Sequence, residues 1–192
     1  MLQSNVLHSC KNFLIVNFFL QKSALFLCGE MCYNRRANHR KGSLYNMKIA
    51  IASDHAGYDY RQMLAQYLRA QGHEVVDCGC PSKESCDYPV FGRKAAQMVK
   101  SGECERGVLV CGTGFGISLA ANRLSGIRCV NCTDVLTAKM SRLHNDANMI
   151  AVGARVVGED TAKLLVDTFL TTPHEGGRHA RRVALIDSLP LA

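Results

Sequence analysis

Residues 107–124, GVLVCGTGFGISLAANRL, join an apolar run to a helical pattern through a loop with three glycines at alternate positions. The run at 107–110 predicts a short buried strand, and the pattern at 117–124, which stops before Gly126, predicts a helix. A strand that turns through glycines into a helix is the building unit of sheets covered by helices. The stretch therefore predicts an α/β domain with a ligand-binding turn near its centre.

The same order of strand and helix repeats from Met47 onward. Further strands are predicted at 48–53, 73–77, 127–131 and 149–152. Further helices are predicted at 90–100, 135–143 and 159–170, and one more has its apolar pattern at 60–68 and ends before Gly72. Short continuous apolar strands separated by single helices indicate a parallel sheet that is covered on both faces. We therefore predict a doubly wound α/β domain over residues 47–192, with a five-stranded parallel sheet in a Rossmann-like three-layer sandwich.

Most of the positive charge lies outside this domain. The chain has a net charge of +7, and residues 1–46 hold six Lys and Arg side chains against the single acid Glu30. The remaining domain is nearly neutral, whereas proteins that bind nucleic acid concentrate basic residues on a folded face. We therefore expect no nucleic-acid partner.

Residues 1–46 are interpreted as an N-terminal extension, either disordered, a targeting segment or a stretch upstream of the true start at Met47. The apolar runs at 13–20 and 24–27 are separated by polar residues and are shorter than the roughly 20 residues that a membrane span needs. We therefore expect no membrane partner.

The ten cysteines include no paired C-x2-C spacing, and a chain of this size does not need disulfides to fold. We therefore expect reduced thiols and no metal site.

In doubly wound sheets, ligands bind where loops leave the carboxyl ends of the strands. Cys111 ends the third predicted strand, and the bare amides of Gly112, Gly114 and Gly116 follow it at the start of a helix, where they form a cradle for an anion. Ile117 stands where a dinucleotide loop needs glycine and a Cys-x5-Arg phosphatase loop needs arginine, and no Walker Gly-Lys-Ser/Thr follows. The loop therefore matches none of these three motifs. A tight strand-to-helix turn that binds no ligand is the alternative interpretation of the glycines.

Two side chains are candidates for moving protons. Cys111 precedes the amides of the cradle, where a thiolate is favoured and acts as a base or nucleophile. Its alternative role is that of an ordinary buried cysteine. His144 is a candidate acid or base, because imidazole is the side chain most often used for proton transfer, although a single histidine is more often a surface or core residue.

The remaining candidates bind rather than react. Asp54 and His55 follow the first strand and either orient hydroxyl groups or cap the first helix. Arg178 and Arg182 are four residues apart, so on a helix they clamp a phosphate or form a solvated basic face. Tyr88 precedes Pro89 in an extended loop and either closes a pocket or packs.

The combination resembles the sugar-phosphate isomerase family that contains the type B ribose 5-phosphate isomerases and the galactose 6-phosphate isomerase subunits. The resemblance runs in order from Met47 to about Ile186. It rests on six motifs, which are Ser53-Asp54-His55-Ala56-Gly57, Asp87-Tyr88-Pro89, Cys111-Gly112-Thr113-Gly114-Phe115-Gly116-Ile117-Ser118, His144-Asn145-Asp146-Asn148, Gly153-Ala154-Arg155-Val156-Val157-Gly158 and Glu175-Gly176-Gly177-Arg178-His179. Phe115 departs from the pattern, since an aliphatic residue is common there.

The resemblance implies interconversion of D-ribose 5-phosphate and D-ribulose 5-phosphate through an enediolate, without metal or organic cofactor. It implies that His144 opens the sugar ring, that Cys111 moves the proton between carbons 1 and 2, and that Thr113 shuttles the hydroxyl proton. It also implies a homodimer, or a tetramer built from it, whose sites draw residues from both subunits. The implied substrate-binding residues are Asp54, His55, Tyr88, Gly112, Gly114, Phe115, Gly116, Asn145, Arg155, Arg178 and Arg182.

Three other functions remain open at this point. The first is a cysteine hydrolase that uses Cys111, His144 and Asn145. The second is a noncatalytic module that binds sugar phosphates. The third is an isomerase of a six-carbon sugar phosphate such as allose or galactose 6-phosphate. Reduced thiols and a phosphorylated metabolite favour a cytoplasmic location.

Overall fold

The computed structural model describes residues 46–189, in which strands and helices alternate. The strands are β1 Lys48–Ser53, β2 Glu74–Asp77, β3 Arg106–Cys111, β4 Cys129–Asn131 and β5 Met149–Gly153. The α-helices are α1 Tyr58–Ala70, α2 Tyr88–Lys100, α3 Phe115–Ala121, α4 Val135–Asn145, α5 Glu159–Thr171 and α6 Arg178–Ser188, and a short 3₁₀ turn covers His55–Gly57. The interpretation of residues 1–46 as an extension concerns residues that, apart from Asn46, lie outside the described range.

The strands form one parallel sheet in the order β2-β1-β3-β5-β4. The chain moves from β1 to β2 on one side and then to β3 on the other, so β1 and β3 flank the point where the direction of winding reverses. Ser53 is paired with Val110, and Cys111 with Gly153. The carboxyl ends of β1, β3 and β5 therefore meet at one edge of the sheet.

Helices cover both faces of the sheet, because alternate residues of each strand point to opposite sides. In β1, Ile49 and Ile51 pack with apolar residues of α1, α4 and α5. Ala50 and Ala52 point the other way and pack with residues of α2 and α3, and Cys111 of β3 belongs to this second core. The observed architecture confirms the predicted doubly wound three-layer sandwich.

The amino end of β4 differs from the prediction. The strand begins at Cys129 rather than at residue 127, since the Arg128 amide donates to the side chain of Asn148 at 2.9 Å instead of joining the ladder. On the open side of this edge strand, the Asn122 side chain donates to the Cys129 carbonyl and accepts from its amide, both at 2.7 Å. The Asn122 side chain thus makes the two hydrogen bonds that a neighbouring strand would otherwise make with Cys129.

Two helices also differ from the prediction. α3 begins at Phe115 and ends at Ala121, two and three residues earlier than expected, because Gly114 adopts φ 82° before it and Asn122 turns away to bond β4. α6 was not predicted as an element, since only His179 and Val183 are buried along it and the apolar pattern is correspondingly weak. Within residues 46–189, every helix is too short or too polar to cross a membrane.

Candidate active site

Cys111 lies at the carboxyl end of β3, beside the reversal in winding. Its side chain is buried, and the Gly114 amide donates to Sγ at 3.0 Å. An N–H group directed at the sulfur stabilises negative charge that develops there. The loop from Gly112 to Gly114 is held against β5, because the Ala154 amide donates to the Cys111 carbonyl at 2.9 Å and the Arg155 amide to the Gly112 carbonyl at 3.0 Å.

The amides that follow Gly114 belong to the first turn of α3. Phe115, Gly116 and Ile117 occupy positions whose amide hydrogens have no acceptor within a helix. The predicted cradle is therefore divided between a loop, 112–114, and the first turn of a helix. The exposed Thr113 projects from the loop part.

Tyr88 lies against this turn. A Cβ placed on Gly116 would be 2.6 Å from Cζ of the Tyr88 ring, so only glycine leaves room for the ring there. Tyr88 is the first residue of α2 rather than part of the extended loop that the sequence predicted, since Pro89 suits the first turn of a helix. The half-exposed ring borders the cradle, and its role in closing a pocket stays a prediction.

Asp54 and His55 follow β1, next to Cys111. Asp54 is buried, and its Oδ1 accepts from the Gly57 amide at 3.0 Å, so the capping alternative is confirmed. His55 Nδ1 accepts from the Cys86 amide at 3.2 Å, so a neutral His55 carries its hydrogen on Nε2. The second carboxylate oxygen of Asp54 and Nε2 of His55 are the atoms available to hydroxyl groups.

Arg155 completes this side of the site. A Cβ on Gly112 would be 3.6 Å from Arg155 Nη1, which places the guanidinium beside the loop. We call Asp54, His55, Tyr88, residues 111–116 and Arg155 the carboxyl-edge group, because all of them follow the carboxyl ends of strands.

Asn131 supports the loop from behind, and the sequence analysis missed it. It ends β4, and its Nδ2 donates to the Thr113 carbonyl at 3.2 Å. Its Oδ1 lies 2.1 Å from the position of a Cβ on Gly114 and is buried without a hydrogen-bond partner. The sequence does contain a signal for Asn131. It is a polar residue at the end of a predicted strand, and ligands bind at that edge of the sheet.

His144 lies on the last turn of α4, five residues before β5 begins at Met149. α4 runs from the carboxyl end of β4 to the amino end of β5, so its last turn is at the opposite edge of the sheet from Cys111. The length of β5 separates the two edges by roughly 15 Å. Within one chain, His144 and Asn145 therefore do not meet Cys111, and the predicted hydrolase trio is not assembled.

The turn after His144 is fixed by two arginines that the sequence analysis also missed. Arg128 donates from Nε to the carbonyls of Asn145 and Asp146 at 3.1 and 3.2 Å. The buried Arg142 donates to the Asp146 carboxylate at 2.7 Å. Asp146 adopts φ 44°, a left-handed conformation that these bonds hold.

Two further side chains, His179 and Glu175, lie next to His144. Its ring stacks on that of His179 with centroids 4.1 Å apart, and Glu175 Oε2 lies 3.8 Å from Nε2 of both rings. Loss of hydration lowers the pKa of His179, and His144 and Arg178 lower it further. His179 is therefore neutral at pH 7, and its Nε2 accepts from Arg178 Nε at 3.2 Å.

The ligand atoms of His144, Glu175 and His179 lie within 4.8 Å of one another, close enough to hold a metal ion. Arg178 already donates to the Nε2 of His179, and its guanidinium repels a cation. The arrangement is better suited to orienting His144 than to binding a metal.

Arg178 and Arg182 lie one turn apart on α6, and both are exposed. The helix on which the two side chains were expected to face the same way is therefore present. The Glu175 amide donates to the Leu143 carbonyl at 3.0 Å, which anchors the start of α6 to the end of α4. We call His144, Asn145, Arg178 and Arg182 the amino-edge group.

Comparisons with known proteins agree with this geometry. The family model described as Ribose/Galactose Isomerase matches residues 49–186. The chain belongs to the ribose/galactose isomerase family. Ribose-5-phosphate isomerase B of Escherichia coli is 45% identical over 142 residues, which are 74% of this chain and 95% of the relative. The LacB subunit of the galactose-6-phosphate isomerase of Clostridium acetobutylicum is 40% identical over 67% of this chain and 75% of the relative.

A solved structure of a ribose/galactose isomerase also matches. Ribose-5-phosphate isomerase B of Clostridium thermocellum superposes with a TM-score of 0.73 and 55% identity, covering 73% of this chain and 95% of its own. Both the carboxyl-edge and the amino-edge groups lie inside the region that the family model matches. The resemblance in the sequence is confirmed, and the chain is an isomerase of this family.

Proposed function

We propose that this protein interconverts D-ribose 5-phosphate and D-ribulose 5-phosphate. The observation that carries the proposal is the Cys111 sulfur, which receives the Gly114 amide at 3.0 Å beside a turn of further amides. A base next to preorganised N–H donors is what proton transfer through an enediolate needs. The relative with 45% identity is named a ribose-5-phosphate isomerase, which favours the five-carbon substrate over a six-carbon one.

In the proposed reaction the Cys111 thiolate removes the proton from carbon 2 of the open-chain aldose and returns it to carbon 1. The hydroxyl proton passes from oxygen 2 to oxygen 1, and the exposed Thr113 is the residue we assign to that transfer. Amides from Gly112 to Gly116 hold the enediolate oxygen, because their dipoles are fixed before charge develops. Asp54, His55 and Tyr88 hold the sugar hydroxyls.

The site we propose is shared between two subunits of a homodimer. Ring opening needs His144, and the phosphate needs Arg178 and Arg182, yet these residues lie roughly 15 Å from Cys111 across the sheet of their own chain. His144 of the partner subunit supplies the missing acid or base in this arrangement, and Arg155 adds a cation from the first subunit. Phe115 and Leu119 of α3 are 62% and 67% exposed, which supports α3 as a surface that a partner covers.

The most direct test of the substrate is a comparison of sugar phosphates with the full chain in the presence of EDTA. We expect kcat/KM for ribose 5-phosphate to exceed that for allose 6-phosphate and galactose 6-phosphate by at least about tenfold, since a pocket closed around five carbons excludes a sixth. Ketose formation measures all three. A higher kcat/KM for either six-carbon sugar would replace the proposed substrate, and loss of turnover with EDTA would contradict a metal-free reaction.

Asn131→Ala provides a test of the amide loop. The variant loses the bond to the Thr113 carbonyl and leaves space behind Gly114, so we expect kcat for ribose 5-phosphate to fall about tenfold through misplacement of the amides. We expect the free energy of unfolding to change by no more than about 1.5 kcal/mol, because the unpartnered Oδ1 is removed together with the bond. Steady-state kinetics and urea denaturation measure the two quantities. An unchanged kcat would show that Asn131 does not position the loop.

We place the protein in the cytoplasm. The seven cysteines within residues 46–189 are all free thiols, which suits a reducing compartment. The proposed substrate is a phosphorylated metabolite.

A further inference from the structure

The loop between β2 and α2 carries two cysteines, Cys80 and Cys86, that the proposed chemistry does not use. Cys80 is fixed beside β1, since its amide donates to the Ser53 carbonyl at 3.0 Å. Arg61 Nη1 donates to the Cys80 carbonyl at 2.8 Å from the other side. The Cys80 backbone therefore has a defined place next to the carboxyl end of β1.

Cys86 is fixed against the same end of β1. Its amide donates to His55 Nδ1 at 3.2 Å, and its sulfur lies 3.9 Å from the same nitrogen. Cys80 and Cys86 are thus held by Ser53 and His55, which are only two residues apart. Five residues of loop separate the two cysteines in sequence.

The two thiols also meet each other. Burial is the largest cause that raises the pKa of the Cys86 thiol, and the neighbouring Cys80 thiol raises it further. The Cys80 thiol itself donates to the Ser82 carbonyl at 3.2 Å, within the same loop. Of the seven cysteines in the part of the chain that the structure describes, Cys86 alone is only partly buried. A small reagent therefore has access to one thiol of the pair and reaches the second through it.

We propose that Cys80 and Cys86 are a redox-sensitive dithiol that forms a disulfide with glutathione disulfide and thereby slows the isomerase. The Cys86 thiolate attacks one sulfur of glutathione disulfide and displaces one glutathione thiolate, which gives a mixed disulfide. The Cys80 thiolate then attacks Cys86 Sγ and displaces the second glutathione. Two protein thiols are oxidised and one glutathione disulfide is reduced to two glutathione molecules.

The link to the site is His55. Cys86 holds the Nδ1 of His55 through its amide, and Tyr88 follows two residues later on the same backbone. Rotation of Cys86 toward Cys80 changes the position of both side chains that border the cradle. This consequence rests on the proposed function, whereas formation of the disulfide does not.

The experiment treats the full chain with glutathione disulfide at pH 8, where more of each thiol is ionised. Burial raises the pKa of the Cys86 thiol, so exchange is slower at lower pH. Trypsin cleaves after Lys83, between the two cysteines, so the disulfide joins peptides 70–83 and 84–93. Cys78 also lies in the first peptide, and the Cys78→Ser variant therefore serves as the matched control.

We expect joined peptides in the unmodified chain and in Cys78→Ser, and none in Cys80→Ser. We expect kcat/KM for ribose 5-phosphate to fall about tenfold on oxidation, to recover with dithiothreitol, and to fall by less than twofold under the same treatment in Cys86→Ser, which lacks the attacking thiol but keeps the amide bond to His55. Absence of the joined peptides would overturn the proposal. Equal inactivation of Cys86→Ser would also overturn it, because the sensitive thiol would then be another one such as Cys111. A chain that forms the disulfide but never isomerises ribose 5-phosphate would instead refute the proposed function.

Discussion

Replacing Cys111 with alanine is expected to lower kcat for ribose 5-phosphate isomerisation by about 10³-fold, within the range that removal of a positioned base produces. The substitution removes the only atom at the end of β3 that we assign to the C–H proton, while the amides from Gly112 to Gly116 keep their places. KM should therefore change by less than about threefold, since the arginines that we assign to the phosphate are unchanged and bind it in ground state and transition state alike. Steady-state formation of ribulose 5-phosphate measures both constants.

Cys78→Ser is a matched control for this experiment. Cys78 is buried in the same core as Cys111, on the α2 and α3 face of the sheet, but it lies after β2 and away from the cradle. We expect it to retain kcat within about twofold, with at most a modest loss of stability. A Cys111→Ala enzyme that keeps kcat within tenfold of the parent would remove Cys111 from the chemistry.

Much of the fold could be predicted because apolar runs and glycines act locally. β1 has the predicted bounds, 48–53, since the apolar run at 49–52 stands between Lys48 and Ser53, and a polar turn follows. The glycines after Cys111 identified the cradle because a strand that turns into a helix at close quarters needs Gly114 at φ 82°. These features depend on residues that are close in sequence, so one amino-acid sequence is enough to predict them.

Other features depend on neighbours in space and were not predictable. β5 lies between β3 and β4, so Asn131 reaches the Thr113 carbonyl across the end of β5. Arg128 and Arg142 support the His144 turn from distant points in the chain, and each reads in sequence as an ordinary surface charge. α6 was missed because it rests on α4 through few apolar side chains.

The distribution of the candidate residues over two edges of the sheet follows from the parallel topology. A residue just after a strand and a residue just before one lie at opposite ends of the domain. Cys111 and Asp54 follow strands, whereas His144 precedes β5. The family resemblance implied a site shared between subunits, and this topology gives a physical reason for the sharing that we propose. We therefore propose that Cys111 of one subunit acts together with His144 of the partner subunit.

Mixed dimers test this claim most directly. Cys111→Ala and His144→Ala subunits, carrying different tags, are each expected to show less than about 1% of the parent activity alone. In a heterodimer of the two, one site combines the intact Cys111 of one subunit with His144 of the partner subunit, and the other site lacks both. Purified heterodimers should therefore recover about half of the parent kcat per dimer, and an equal, fully exchanged mixture about one quarter, provided that both parents bind substrate equally.

The measurement is ribulose 5-phosphate formation by the tag-purified heterodimer, whose dimeric state is checked by analytical ultracentrifugation. Recovery of about half of the parent kcat is the result that we predict. Activity that stays at the level of the separate variants would contradict the account, because it would mean that Cys111 and His144 must come from the same subunit.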